Sequence, residues 1–191
     1  RANVWQPHTG GAVLFFTRFV EVAPDWFTEF CVSLYARRPQ TKIIVAGTPV
    51  QPGLDEPFRR QVANSAAATV VEWTGFVPPA DLPELYARTS CAIFPAADVP
   101  LQQAKCSVRL ATTMLQGLPV VASAVGEQTA YGADGAARLL SAAATPAAFA
   151  AAVDDVLDHP EEQLALGAAA RRRLLQRYSW TSLGQELFDF Y

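Results

Sequence analysis

The stretch from Lys105 to Gly126, KCSVRLATTMLQGLPVVASAVG, decides the fold. It opens polar and basic, then runs into an apolar-periodic segment that stops at Gly117. It restarts at once as the strand-like Leu118-Pro119-Val120-Val121-Ala122. A helix, a buried strand and then a loop of small residues, Ser123 to Gly126, make one unit of an α/β nucleotide-binding sheet. Such sheets hold phosphates and sugars at helix starts and in the loops after their strands.

The same alternation extends to both ends of the chain. Toward the N-terminus, Ala12 to Thr17, Lys42 to Ala46, Thr69 to Trp73 and Cys91 to Phe94 read as short apolar strands. Between them, Pro24 to Tyr35 and Leu54 to Ser65 read as helices. A further helix starts at Asp81, read as its N-cap with Glu84 at the capping-box position. Toward the C-terminus, Ala137 to Leu140 is a last short strand. Helices follow over Pro146 to Leu157, Glu161 to Tyr178 and about Thr181 to Phe190. The strands are continuously apolar rather than alternating, so the expected fold is α/β: a Rossmann-like, doubly wound parallel sheet covered on both faces. Its length of 191 residues fits a single domain over 1–191.

Composition removes several function classes. A net charge of -3 gives nucleic acid no electrostatic footing, and no apolar run approaches a membrane span. Cys31, Cys91 and Cys106 are widely spaced with no C-x-x-C pair, so neither a disulfide framework nor a zinc site is expected, and no metal is assigned. A reducing cytoplasm is the expected location, with peripheral contact at the inner membrane face through Arg171-Arg172-Arg173 as a minority reading. The chain opens on Arg1 rather than Met, and the expectation is a piece of a longer protein.

Ligands of such sheets bind beyond the carboxyl ends of the strands. The candidate positions are therefore Thr17-Arg18, Gly47-Thr48, Gly75-Phe76-Val77, Pro95 to Asp98 and Ser123 to Gln128. With two lysines in the whole chain, Lys42 and Lys105, Lys105 stands out. At i, i+4 it is expected to share a helix face with Arg109, behind Ser107 as N-cap, where free N–H groups favour an anion. Neither histidine is a good candidate: His8 lies in an N-terminal stretch and His159 at a helix junction. Trp180 and Phe188 are read as packing residues. No Ser-His-Asp set is visible.

Six segments, in order and covering nearly the whole chain, resemble the C-terminal half of GT-B glycosyltransferases of the family 4, group 1 type. Leu14-Phe15-Phe16-Thr17-Arg18-Phe19 is similar to the family's first strand ending in Gly-Arg, and Ile43 to Gly47 to its second. Val71 to Val77 with Leu82 to Tyr86, Cys91 to Pro95, Met114 to Ser123, and Ser179-Trp180 with Tyr191 match the rest. The departures bear on chemistry. Two family glutamates fall on Ala104 and Thr112, the family's loop lysine has no counterpart in Val20 to Trp26, and the segment after Pro95 is longer. The chain thus resembles a divergent branch.

The resemblance implies a donor-nucleotide-binding domain whose acceptor domain lies upstream, with a tail helix over 181–191 packing toward that N-terminal domain. It implies transfer of a glycosyl group from a nucleotide-diphosphate sugar, such as a UDP- or GDP-sugar, by a retaining mechanism. No other cofactor is expected. Sugar transfer leaves a diphosphate whose charge fixed cations and N–H donors must stabilise, and Arg18, Lys105, Ser107 and Arg109 are assigned to it. Gly47, Gly75, Phe76, Val77 and Thr112 are assigned to the nucleoside, and Asp98, Gly126, Glu127 and Gln128 to the donor sugar. No catalytic residue is assigned. The alternatives are a non-catalytic sugar-nucleotide-binding or scaffold domain, for which the missing glutamates speak, and a doubly wound domain of another kind, such as half of an epimerase.

Overall fold

The strands Ala12–Phe16, Ile43–Ala46, Thr89–Phe94 and Val120–Ser123 send apolar side chains to both sides, and the sheet is apolar on both faces for that reason. In the computed structural model, which describes residues 5–7 and 10–191, the elements follow one another as β1 (Ala12–Phe16), α1 (Pro24–Arg37), β2 (Ile43–Ala46), α2 (Glu56–Ala63), β3 (Val71–Gly75), α3 (Leu82–Ala87), β4 (Thr89–Phe94), α4 (Pro100–Gln103), α5 (Val108–Leu115), β5 (Val120–Ser123), α6 (Glu127–Gly132), β6 (Arg138–Leu140), α7 (Pro146–Asp158), α8 (Pro160–Arg177) and α9 (Trp180–Phe190). The six strands form one sheet in the order β3-β2-β1-β4-β5-β6, and every neighbouring pair is parallel.

Strand periodicity sorts the core into two layers. Val13 and Phe15 of β1 face one layer with Ile43, Val45 and Ile93, covered by α1, α2 and α7. Leu14 and Phe16 face the other with Ile44, Ala92 and Phe94, covered by α3, α5, α6 and α8. The first layer is aromatic: Phe15 stacks on Phe27 at 4.9 Å between ring centroids, and Trp73 meets Phe27 edge-on at 6.1 Å. This is a doubly wound sheet, and its order reverses between β1 and β4. After β1 the chain moves to β2 on one side; β4 and β5 build the other. The crevice beyond the carboxyl ends of β1 and β4 is the switch point at which such sheets receive ligands.

Several expectations need correction. Asp81 precedes α3, but it makes no side-chain cap hydrogen bond, because its backbone is already helical at φ -95° and ψ -9°. Two short helices were not foreseen: α4, inside the long segment after Pro95, and α6, in the stretch read as a loop over Val125 to Gln128. α9 forms but buries none of its residues. Trp180 and Phe188 are 91% and 77% exposed, so they do not pack on this domain. Among the described residues no helix is long and apolar enough to cross a membrane. The Arg171-Arg172-Arg173 run is not a free basic face either. Arg171 donates to the Leu115 carbonyl at 2.7 Å, and Arg173 donates to the Ala130 carbonyl and pairs with Asp134. Two of the three arginines therefore fasten α8 to its neighbours.

Candidate functional site

β1 and β4 end side by side at the switch point, and the loops that leave them must diverge. A cavity of about 300 Å³ opens there, walled by the ends of β1, β2 and β4, the segment after β3 and the start of α5. Its floor depends on one glycine. Gly47 follows β2 at φ +137°, and a Cβ at this position would lie 1.9 Å from the Thr17 carbonyl oxygen. Only a residue without a side chain lets the two strand ends approach this closely.

Arg18, Lys105, Ser107 and Arg109 all line this cavity. Arg18 projects from the β1–α1 loop and is exposed. Arg109 lies in the first turn of α5 with its guanidinium 5.4 Å from the centroid of the Phe16 ring, a stacking arrangement that holds the fork in place without neutralising it. Among the described residues neither arginine forms an ion pair. Ser107 is the N-cap of α5, its hydroxyl accepting from the Leu110 N–H at 3.3 Å.

Lys105 reaches the cavity by a different route from the one its spacing predicted. The helix begins at Val108, so Lys105 lies in the loop before it and shares no helical face with Arg109. Its ammonium is placed instead by an ion pair of 2.9 Å with Glu21, a residue the sequence reading left without a role. Glu21 also lines the cavity, and its carboxylate is mostly enclosed, at 11% side-chain exposure. Burial pushes its pKa up. The Lys105 ammonium and the hydrogen bonds from the Arg18 N–H and Thr17 hydroxyl outweigh that, and the group lies below the usual carboxylate range. One signal was available: Glu21 is the sole acid between β1 and α1.

Of the nucleoside candidates, Gly47, Phe76 and Val77 line the cavity and Gly75 and Thr112 do not. Gly75 closes β3 in a left-handed conformation, φ +67°, and its carbonyl accepts from the Gly47 N–H at 2.7 Å. It braces the floor rather than facing the void. The Thr112 hydroxyl donates back to the carbonyls of Val108 and Arg109 in its own helix, at 3.0 and 3.1 Å, and so has no reach toward a ligand.

The donor-sugar candidates separate in the same manner. Gln128 lines the cavity. With its amide turned so that nitrogen faces the strand ends, it donates to the carbonyls of Phe94 (2.8 Å) and Ser123 (3.1 Å). Asp98 lies outside the cavity, accepting from the Gln103 side chain at 2.7 Å. Gly126 faces protein: a Cβ there would lie 2.4 Å from the Gln103 carbonyl oxygen. Glu127 lies beside Tyr131, whose hydroxyl meets the Cys106 thiol at 3.4 Å, and the Glu127 Oε2 is buried with no hydrogen-bond partner among the described residues. Burial first, then these two neighbours, push the Tyr131 pKa up. The inserted α4 segment has filled the space beside the β5–α6 loop.

Away from the crevice, Asp155, His159 and Glu162 bring ligand atoms within 4.8 Å of one another. The Arg138 guanidinium already pairs with both carboxylates, which makes the group an ion-pair network between α7, α8 and β6. His159 belongs to that junction, as expected, and His8 lies outside the described residues.

Comparison with known proteins converges on one description. The profile of the family described as glycosyl transferases group 1 matches residues 10–159. A D-inositol 3-phosphate glycosyltransferase of Nocardioides sp. is 30% identical over 203 aligned positions, covering 100% of this chain and 43% of that protein. One from Frankia alni is 31% identical, covering 90% and 43%. The chain thus spans well under half the length of these relatives. Among solved structures, HepE of Anabaena in complex with UDP superposes with a TM-score of 0.74 at 18% identity, covering 95% of this chain and 48% of that one. The C-terminal domain of the group 1 glycosyl transferase LpcC from Francisella tularensis gives 0.71 at 13%, covering 92% and 89%.

Proposed function

The chain belongs to the group 1 glycosyltransferases, and from that premise we propose that it supplies the donor site of such an enzyme. The crevice at β1 and β4 holds the diphosphate of a nucleotide sugar. The observation that carries this reading is the convergence of Arg18, Arg109 and Lys105 on one cavity, with neither arginine neutralised by a carboxylate. Three cations at a topological switch point suit a diphosphate.

Transfer breaks the bond between the sugar's anomeric carbon and the β-phosphate oxygen, and the bonding electrons stay on that oxygen. The acceptor hydroxyl forms the new bond, and its proton passes to the departing diphosphate. Charge growing on the departing diphosphate is what Arg18, Arg109 and Lys105 stabilise, together with the free N–H groups at the start of α5. Preformed positions matter, since no reorganisation is then needed as the bond breaks. Gly47, Phe76 and Val77 form the wall for the nucleoside. The carbonyl oxygen of Gln128 is left to accept from a ligand hydroxyl while its nitrogen serves the strands. Retention of configuration is the stereochemistry that the family resemblance implies.

The acceptor binds on the remainder of the enzyme in this reading, and the bare apolar face of α9 docks there. The curated relatives are named for D-inositol 3-phosphate, so a phosphorylated cyclitol is the first acceptor class to assay. A second reading, a nucleotide-sugar binder without turnover, is favoured by Ala104 and Thr112 standing where the family has glutamates. Calorimetric titration with UDP, GDP and ADP tests the common premise. One nucleotide should saturate, and Arg18→Ala should weaken it by at least about tenfold, the value of one charge-assisted contact. Unchanged affinity in that variant would refute Arg18 as a diphosphate ligand. Binding of a nucleotide sugar by the intact protein with neither transfer nor hydrolysis would select the second reading.

A further inference from the structure

Glu21 touches both walls of the crevice. Its Oε2 accepts from the Thr17 hydroxyl at 2.9 Å, the Arg18 N–H at 3.0 Å and the Val20 N–H at 3.2 Å. Its Oε1 accepts from the Lys105 ammonium at 2.9 Å. One carboxylate therefore gathers the loop that carries Arg18 and, across the opening, the lysine that precedes α5.

That loop needs gathering. Phe19 is left-handed at φ +63°, a conformation that costs a bulky residue about 1–2 kcal/mol. Its ring is buried against Phe58 and Trp73, and its N–H donates to the Thr17 hydroxyl. The Thr17 hydroxyl in turn donates to Glu21. Thr17, Arg18, Phe19 and Val20 thus turn sharply around the carboxylate.

A carboxylate beside a diphosphate site is costly by charge alone, since it repels the ligand. Its presence calls for a compensating task. We infer that Glu21 is a positioning residue of the donor site: it holds the Lys105 ammonium at the crevice and fixes the backbone from which Arg18 extends. The inference rests on the donor-site reading.

Charge and positioning predict opposite signs, so the experiment is decisive. Glu21→Gln keeps a carbonyl oxygen for the Arg18 and Val20 N–H groups but abolishes the ion pair with Lys105. Were Glu21 only a nearby charge, UDP would bind this variant more tightly. As a positioning residue, its loss weakens UDP by about fivefold, the worth of a half-enclosed ion pair. In a Lys105→Met background the same substitution should no longer weaken binding, because no ammonium remains to be placed. The nucleotide used is whichever of UDP, GDP and ADP saturates the wild-type chain, and its tighter or unchanged binding by Glu21→Gln overturns the inference.

A second measurement needs no nucleotide. The chain holds two lysines, so labelling the lysine ε-carbons yields two methylene signals in NMR relaxation. The Lys105 ε-methylene should be ordered in the wild type and released in Glu21→Gln, with Lys42 unchanged. Equal mobility of Lys105 in both proteins overturns the inference whatever UDP does. An ordered Lys105 that Glu21→Gln releases, in a wild type that binds no nucleotide, would instead refute the donor reading and leave the placement of Lys105 by Glu21 standing.

Discussion

The two halves of the crevice are built from similar residues and differ in what those residues have left to give. On the β1–β4 side, Arg18 and Arg109 line the void with no anionic partner among the described residues. On the β5–α6 side, most polar groups of the same sort are spent on the protein, with the buried Glu127 Oε2 the exception. Asp98 holds Gln103, the Gln128 nitrogen holds two strand carbonyls, and Gly126 abuts the α4 backbone. Hydrogen-bonding capacity used up internally builds scaffold; capacity left over at a switch point is what a ligand can use. Position after a strand is therefore necessary for a site residue and insufficient for one.

The sharpest way to break this contrast is to substitute the glycine on each side. Gly47→Ala and Gly126→Ala both drive a Cβ into backbone, at 1.9 and 2.4 Å. Each should cost about 2–3 kcal/mol in urea denaturation, Gly47 the more. Only Gly47→Ala should also impair UDP binding, because it moves the strand end that carries Arg18. If Gly126→Ala lowers UDP affinity as much, the two sides are one site and the contrast fails.

Charge removal comes next in size. Arg109→Ala should weaken UDP by about tenfold, and Arg109→Lys by less, since an ammonium keeps the charge but loses the planar fork that lies over Phe16. Asp98→Ala, on the saturated side, should leave UDP affinity within about twofold of wild type, as expected of a group whose partner is Gln103. A tenfold loss in Asp98→Ala would mean that α4 moves aside on binding and exposes a second set of ligands.

The fold was legible because hydrophobic periodicity and strand-ending glycines and prolines are local signals. Each strand the sequence announced is present, within a residue or three at its ends. The cation group was half legible. Arg18 could be placed by following β1 to its end, Ser107 by its capping chemistry, and Arg109 by its position at the start of the helix that Ser107 caps. Lys105 was assigned to the right cavity for the wrong reason, since a helix face was read where a cross-crevice ion pair acts. Glu21 left one signal, as the sole acid between β1 and α1, but its task did not show, because its partners are a lysine 84 positions away and groups of its own turn, and neither leaves a pattern along the chain. Gly126 and Asp98 looked available because the α4 segment that meets them through Gln103 has no strong signal. α4 is only four residues long, too short for periodicity to register.

The smallest effect expected is also the most diagnostic of the crevice's electrostatics. The Glu21 carboxyl has a folded-state pKa below its ordinary 4.5. A depressed pKa means that the ionised form is favoured by folding, so its stabilisation is fully present above about pH 4.5 and is lost as pH falls through the lower, folded value. The melting temperature of Glu21→Gln should therefore fall below that of wild type at pH 6, and the gap should narrow steadily below pH 4.5. The narrowing reports Glu21 taking up its proton. A gap that stays constant down to pH 3 would mean that the Glu21 charge contributes nothing to the fold. Packing of the side chain and the hydrogen bonds that Gln cannot reproduce would then account for the whole difference, and the ion pair to Lys105 would serve the ligand alone.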